Sequence, residues 1–128
     1  MYLFRVELEA FDRLPEPAAL ELVDLWLVAL SLHDEAWIQS QGAPALYASG
    51  VRYREEPDDT WSDVPACLLA RLGDCEDLAA WRAAELRIAG TDAWPFARLE
   101  PGRPVLYHAL VRTPSGVEDP SRLLGMKG

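Results

Sequence analysis

The segment 73–90 constrains the fold most, because it specifies where a helix begins and how closely other elements can approach it. Asp74 is a favoured N-cap residue, and Asp77, three positions later, completes a variant of the capping box. The pattern predicts a helix from Cys75 to about Ala89, ended by the glycine that follows. Small residues along this helix let other elements pack closely against it: Ala79, Ala80, Ala83 and Ala84.

A longer helix is predicted before this segment, from Pro17 in its first turn to about Gln39. Leu, Val, Ala and Trp fill most of its circumference, which is typical of a helix buried on most sides. Its polar residues, from Glu21 to Glu35, recur mostly at three-to-four spacing. That spacing predicts a narrow stripe facing solvent.

Alternating apolar and polar residues predict the strands. One is expected near the N-terminus, where Phe4, Val6 and Leu8 alternate with charged residues. Between the helices we expect mostly loop, with a short extended piece at 51–53 and a short helix at 65–71. Because the later strands form an antiparallel sheet after the helices, the fold class is α+β, in a single domain of residues 1–128. The later strands are Phe96–Leu99, Val105–Arg112 and Val117–Asp119.

Composition excludes several classes of partner. The formal net charge is −9 and the sequence pI is about 4.6, which argues against nucleic acid and anionic membrane surfaces. Glu21 and Asp24 interrupt the most apolar stretch, so no spanning helix is expected. The first residues do not resemble a signal peptide, which favours a cytoplasmic or virion-associated protein.

The position of Cys75 in a capped first turn suggests a nucleophile. A helix dipole and free backbone N–H groups favour a thiolate there, and the same N–H groups could form an oxyanion hole. Three neighbouring carboxylates oppose ionisation: they belong to Asp74, Glu76 and Asp77. A buried structural cysteine is the alternative, and it fits Cys67, in an apolar helix, better than Cys75.

A base and an acid can be placed from strand parity. His108 lies in the middle of a strand that is apolar on both faces, so the ring is buried and needs a partner. If the chain turns at Pro114-Ser115, Asp119 lies opposite Leu110 and projects on the same face as His108. The chain contains no asparagine, so the third member of a cysteine triad must be an acid. The predicted triad is Cys75 as nucleophile, His108 as base and acid, and Asp119 as orienting group.

The motifs together resemble a known family. "GDCEDLA" at 73–79, "DTW" at 59–61, "YHALVR" at 107–112 and "VEDPS" at 117–121 are similar to segments of bacterial transglutaminase-like cysteine proteinases. The wider family also includes small phage and prophage proteins. The segments "PALYASGVRY" and "DPSRLLGM" resemble segments of these proteins. The match covers roughly Val51 to Ser121.

The resemblance implies a papain-like α+β core, with the cysteine helix packed on an antiparallel sheet. It implies acyl transfer through a thioester, either hydrolysis of a peptide or amide bond or transfer to an amine, with a peptide or protein as substrate. Some periplasmic members bind calcium through acids that flank the cysteine, and Asp74 and Glu76 match those positions. No other cofactor is implied.

Other assignments stay open. Trp61, Tyr53 and Tyr47 are candidates for a second oxyanion or substrate contact, although core packing explains each of them as well. A virion or assembly protein that keeps the fold without activity is the main alternative to an enzyme. A redox protein is a third hypothesis, which requires Cys67 and Cys75 within disulfide distance.

Overall fold

The computed structural model of the chain describes residues 5–8, 10–56, 60–100 and 107–127. The helices are α1 (Glu16–Gln41), α2 (Val64–Ala70), α3 (Cys75–Ile88) and α4 (Pro120–Leu123). The strands are β1 (Arg52–Tyr53), β2 (Leu72–Gly73), β3 (Trp94–Leu99), β4 (Tyr107–Thr113) and β5 (Gly116–Glu118). Two single-turn 3₁₀ helices, Phe11–Arg13 and Leu46–Ala48, complete the described elements. Helices and an antiparallel sheet confirm the α+β class.

The long helix forms close to its predicted bounds, but it is buried along one face rather than on most sides, and the predicted solvent stripe is wrong. Ser31 and Asp34 are fully buried, whereas Leu25 is 64% exposed. The buried face of α1 carries Val23 and Leu27 as well and packs on α3 and β3. Asp34 Oδ1 accepts a hydrogen bond from the Val64 amide at the start of α2, whereas its Oδ2 is buried without a hydrogen-bond partner among the described residues. Although α1 is long, no helix in the described part of the chain is apolar enough to cross a bilayer.

The predicted N-terminal strand is wrong over the residues that can be assessed. Residues 5–8 form no strand, and Phe4 lies outside the described residues. Val6 and Leu8 are about half exposed, at 51% and 49%. Alternating apolar and polar residues form a strand only where a neighbouring strand is available, because the backbone hydrogen bonds of a strand are made to its neighbour.

The three-stranded sheet has the order β3-β4-β5 and is antiparallel throughout. Val111 faces Glu118 and Thr113 faces Gly116, so the predicted two-residue turn at Pro114-Ser115 is confirmed. β5 ends one residue before Asp119, which caps α4 instead of extending the strand. The predicted start of β4 at positions 105–106 lies outside the described residues.

α3 packs on this sheet, with α1 on another of its sides. Cys75, Ala79 and Ala83 share a buried cluster with Ala109 and Val111 of β4. The alanines of α3 are fully buried, as their small size predicted.

A two-stranded parallel pair of β1 and β2 was not predicted. Tyr53 faces Gly73 in this pair, which brings the predicted extended piece beside the start of α3. Two residues a strand carry too little hydrophobic pattern to reveal a pairing partner. The pair matters for the site because it sets Tyr53 next to the cysteine helix.

Candidate active site

Cys75 is the first residue of α3, and the predicted capping box is confirmed. Asp74 Oδ1 accepts a hydrogen bond from the Cys75 amide at 2.7 Å. Asp77 Oδ2 accepts one from the Asp74 amide at 3.0 Å. The Cys75 amide is therefore already bonded, and it is not a ready oxyanion donor in this arrangement.

The same two acids hold the preceding segment against the helix. Asp74 Oδ2 accepts from the Glu56 amide at 3.0 Å, and Asp77 Oδ1 accepts from the Ser62 amide at 2.7 Å. Asp77 is 1% exposed. Burial raises the pKa of Asp77 to about 8, although hydrogen bonds from Ser62 and Asp74 lower it. The acids that flank the cysteine thus have structural roles that sequence alone did not assign.

The Cys75 thiol is buried and faces a carboxylate. Its Sγ donates a hydrogen bond to Glu76 Oε2 at 3.0 Å. Burial raises the pKa of Cys75 strongly, the charge of Glu76 and this hydrogen bond raise it further, and a hydrogen bond from the Ala109 amide lowers it. The opposition between thiolate and carboxylates predicted from the sequence is present, with Glu76 as its main charged source.

The Ala109 amide reaches the sulfur because of how the sheet ends. β5 pairs with β4 only at residues 111–113. The edge of β4 at Ala109 is therefore not covered by β5, and the start of α3 packs there. The thiol consequently lies against the strand that carries His108, one residue from it.

His108 and Asp119 form the predicted pair. His108 Nε2 lies 3.0 Å from Asp119 Oδ2, and the histidine is 4% exposed. Asp119 is fixed in turn by the Arg122 amide, at 3.3 Å, and by the Arg122 guanidinium, at 3.4 Å. Glu100 Oε1 lies 3.9 Å from the other ring nitrogen, Nδ1. Acidic groups therefore approach both ring nitrogens.

The third contact of the triad is not made in this arrangement. Within the described residues, no hydrogen bond joins Cys75 Sγ to His108, and the sulfur bonds Glu76 instead. Asp119 occupies Nε2, so Nδ1 is the ring nitrogen left to exchange a proton with the thiol or a substrate. The structure brings the three predicted residues to one end of the sheet and assembles only the histidine–aspartate half.

Tyr53 is the oxyanion candidate that lies beside the cysteine. Burial raises its pKa to about 12, and the next largest contributions come from the charges of Asp74 and Cys75. Tyr53 packs against the buried cluster that contains Cys75, and it pairs with Gly73, two residues before the thiol. A tyrosine hydroxyl can donate a hydrogen bond to a developing oxyanion.

Trp61 packs against the buried cluster that contains Cys75 and lies edge-on to Trp26, with ring centroids 6.2 Å apart. Both rings are partly exposed. The core-packing interpretation of Trp61 therefore has direct support.

Tyr47 belongs to a different network. Its hydroxyl donates to Glu118 Oε2 at 2.5 Å, and the Arg82 guanidinium stacks on its ring at 4.6 Å. Burial and the hydrogen bond to Glu118 raise the pKa of Tyr47. This network joins β5, α3 and the Leu46–Ala48 turn, and none of the bonds of the Tyr47 hydroxyl is made to the thiol.

The donors near Cys75 do not fit calcium. Asp74, Cys75 and Glu76 bring one ligand atom each within 4.8 Å of one another. Calcium takes six to eight oxygen ligands, but one of these atoms is sulfur. Both Asp74 oxygens already accept backbone hydrogen bonds. The calcium expectation finds no support in this donor set, and no metal role is inferred.

The redox hypothesis also lacks support in the described chain. Cys67 and Cys75 are both free thiols and belong to two different buried clusters. Cys67 is 1% exposed, and burial, followed by the charge of Asp77, raises its pKa. It therefore serves as an internal reference for a buried structural cysteine.

Two contacts in this site were missed from the sequence. The Glu76 carboxylate was considered as a repulsive charge and as a match to a calcium-binding position, not as a hydrogen-bond acceptor for the thiol. Glu100 was not considered, because it follows the predicted strand. In the structure, Arg98 and His108 face each other across β3 and β4, and this register brings Glu100 close to the ring. That register became evident only with the fold.

Comparison of the chain with protein-family models, with curated proteins and with solved structures found no match.

Proposed function

We propose that the protein is a thiol-dependent acyl-transfer enzyme of the transglutaminase-like type, acting on a peptide or protein substrate. The observation that carries the proposal is the 3.0 Å pair of His108 and Asp119 on the same end of the sheet as a helix-initial cysteine. The Ala109 amide links the thiol to the histidine strand. A papain-like core is part of the proposal.

In this mechanism, His108 Nδ1 accepts the thiol proton while Asp119 holds Nε2. Cys75 Sγ attacks the substrate carbonyl carbon, and the carbonyl oxygen becomes an oxyanion that the Tyr53 hydroxyl can stabilise. The carbon–nitrogen bond breaks, and the leaving amine takes the proton from His108. Water or a second amine then attacks the thioester carbonyl carbon and gives a proton to His108. The carbon–sulfur bond breaks, the acyl product leaves, and His108 returns the proton to the Cys75 sulfur.

A second candidate is a non-catalytic phage-type structural or assembly protein that retains the fold. The observation that favours it is the thiol itself, which is 7% exposed and bonded to Glu76. An enzyme must bring this sulfur to His108, whereas a structural protein leaves it protonated. Thiol reactivity therefore separates the two candidates.

The test is alkylation of the native protein with iodoacetamide across pH, read by peptide mass spectrometry, in the wild type and in His108→Ala. In this arrangement the pKa of Cys75 is raised, so we expect its reaction to depend on the fraction of molecules in which the sulfur reaches His108. We expect Cys75 to react faster than Cys67 at each pH, because that contact forms the reactive thiolate. We expect His108→Ala to remove this advantage, because the imidazole is the proton acceptor. Cys67 in the same molecule controls for reagent and folding.

The enzyme proposal would be contradicted if Cys75 reacted no faster than Cys67. It would also be contradicted if the reaction rate of Cys75 were unchanged in His108→Ala. Asp119→Asn provides a second check, since it removes the charge that orients His108 while leaving the side-chain size unchanged. In Asp119→Asn, the alkylation rate of Cys75 should fall toward the rate measured in His108→Ala.

A further inference from the structure

Glu76 is the charged group nearest the proposed nucleophile, and no step of the proposed mechanism uses it. Glu76 is 5% exposed, and its carboxylate accepts the thiol hydrogen bond at 3.0 Å. Hydrogen bonds to ionised acceptors are shorter and stronger than neutral ones. By contrast, the Cys67 thiol contacts the Ser62 carbonyl oxygen at 3.9 Å, which is a much weaker bond.

The contact opposes the geometry that catalysis needs. A sulfur that donates its hydrogen to Glu76 does not donate it to His108, and the described residues show no bond between Cys75 and His108. Tyr53 of β1 packs against the cluster that contains the thiol, the Ala109 amide of β4 bonds the sulfur, and Asp74 precedes Cys75 in the chain. Among them, Glu76 is the acceptor that the thiol hydrogen reaches.

We propose that Glu76 is a positioning residue that restrains Cys75: its carboxylate holds the thiol hydrogen and keeps the sulfur from His108 until the contact is broken. The restraint affects catalysis only if Cys75 is the nucleophile, and in that respect it rests on the proposed function. The contact itself does not depend on any activity and can be observed directly.

The first measurement is the infrared S–H stretching band of Cys75, obtained as the difference between the wild type and Cys75→Ser. A thiol held by a carboxylate absorbs at lower frequency than a weakly bonded one. We expect the Cys75 band below that of Cys67, and we expect Glu76→Gln to move it toward the Cys67 band. A wild-type Cys75 band at or above the Cys67 frequency would overturn the restraint without reference to any variant at position 76.

The second measurement is the iodoacetamide rate of Cys75 at one fixed pH. Glu76→Gln keeps the size of the side chain but replaces a charged acceptor with a neutral one, so we expect a rise of about tenfold. The matched control is Glu55→Gln, which removes the same charge from an exposed acid near Tyr53. An equal rise in the control would show that overall charge, not the contact, limits the thiol, and would overturn the proposal.

The double variant Glu76→Gln/His108→Ala separates this proposal from the proposed function. If the gain from Glu76→Gln disappears without His108, the released thiol passes to the histidine and both proposals hold. If the gain persists without His108, the restraint stands and the triad loses its support. If Glu76→Gln gives no gain in either background, the restraint is overturned, whatever His108 does.

Discussion

At the scale of single residues, the buried acids of this chain act mainly as acceptors for backbone amides. Asp34 Oδ1 accepts from the Val64 amide at 3.1 Å, and Asp77, in the first turn of α3, accepts from the Ser62 and Asp74 amides. Each carboxylate accepts a hydrogen bond from a backbone amide that has no backbone carbonyl acceptor of its own, at the start of a helix or in a loop. The buried carboxylates of this protein therefore help to hold the backbone in place, besides any role they have at the site.

Asp34 and Asp77 predict an unusual pH dependence of stability. Burial raises the pKa of Asp34 to about 8, while the Val64 amide lowers it and the charge of Asp63 raises it; Asp77 is also raised to about 8. A raised carboxyl pKa means that the folded state binds the proton more tightly than the unfolded state. Stability from these groups is full below about pH 4 and is lost as pH rises toward about 8.

We expect Asp34→Asn to reduce this loss, because it removes one of the two buried groups that must ionise. The free energy of unfolding of the wild type should fall by up to about 1.4 kcal/mol per pH unit for each group. Urea unfolding between about pH 5 and pH 8 measures the slope. Glu21→Gln, an exposed change on the same helix, is the control; equal slopes in all three proteins would contradict the prediction.

At the scale of elements, the start of α3 is the point on which the site depends. The capping box fixes the first turn, and its acids also bind the amides of Glu56 and Ser62 in the segment before α2. The short β5 leaves Ala109 open to the same turn. A helix end, a strand edge and a loop thus meet at the thiol.

Asp77→Ala should destabilise the protein by about 1–3 kcal/mol or more, because it leaves the Ser62 and Asp74 amides without their acceptor. The measurement is the free energy of unfolding in urea at a low pH within the folded range. Glu16→Ala is the matched control, since Glu16 lies in the first turn of α1 and is exposed. Similar losses in both variants would mean that the capping contacts contribute little.

At the scale of the whole molecule, α3 is the helix that most other elements pack against, and α1 packs on both α3 and β3. α3 contacts α1, β3, β4 and α4. Arg87 joins the layers, since its guanidinium bonds Glu35 at 2.9 Å, the Ala93 carbonyl at 2.9 Å and the Ser31 carbonyl at 3.2 Å. The orientation of α1 therefore decides how well the cysteine helix is held.

Leu25 and Leu27 test that orientation with one substitution each. Leu27 is fully buried and Leu25 is 64% exposed. We expect Leu27→Ala to cost about 2–5 kcal/mol, the range for buried leucine, and Leu25→Ala to change stability by about 0.5 kcal/mol or less. Thermal and urea unfolding measure both. Comparable losses would place the buried face of α1 elsewhere.

Local rules account for much of what was predicted. The capped start at Asp74, the helix from Cys75, and the turn at Pro114-Ser115 follow from interactions between residues close in sequence, so the sequence specifies them directly. Strand parity then placed Asp119 on the His108 side, because side chains alternate with a period of two. The His108–Asp119 pair is the furthest conclusion that this reasoning reached.

The sequence by itself thus determined the α+β class, the bounds of α1, α2 and α3 to within about two residues, the turn at Pro114-Ser115, and the histidine–aspartate half of the site. Only the tertiary structure decided which face of α1 is buried, that residues 5–8 form no strand, and that the Cys75 thiol bonds Glu76. The physical reason is the same in each case. Each outcome depends on which packing surface or hydrogen-bond acceptor a residue finds in the folded chain. Some of these partners are far away in sequence, and others depend on the choice of side-chain rotamer. The local sequence pattern does not specify which partner is chosen.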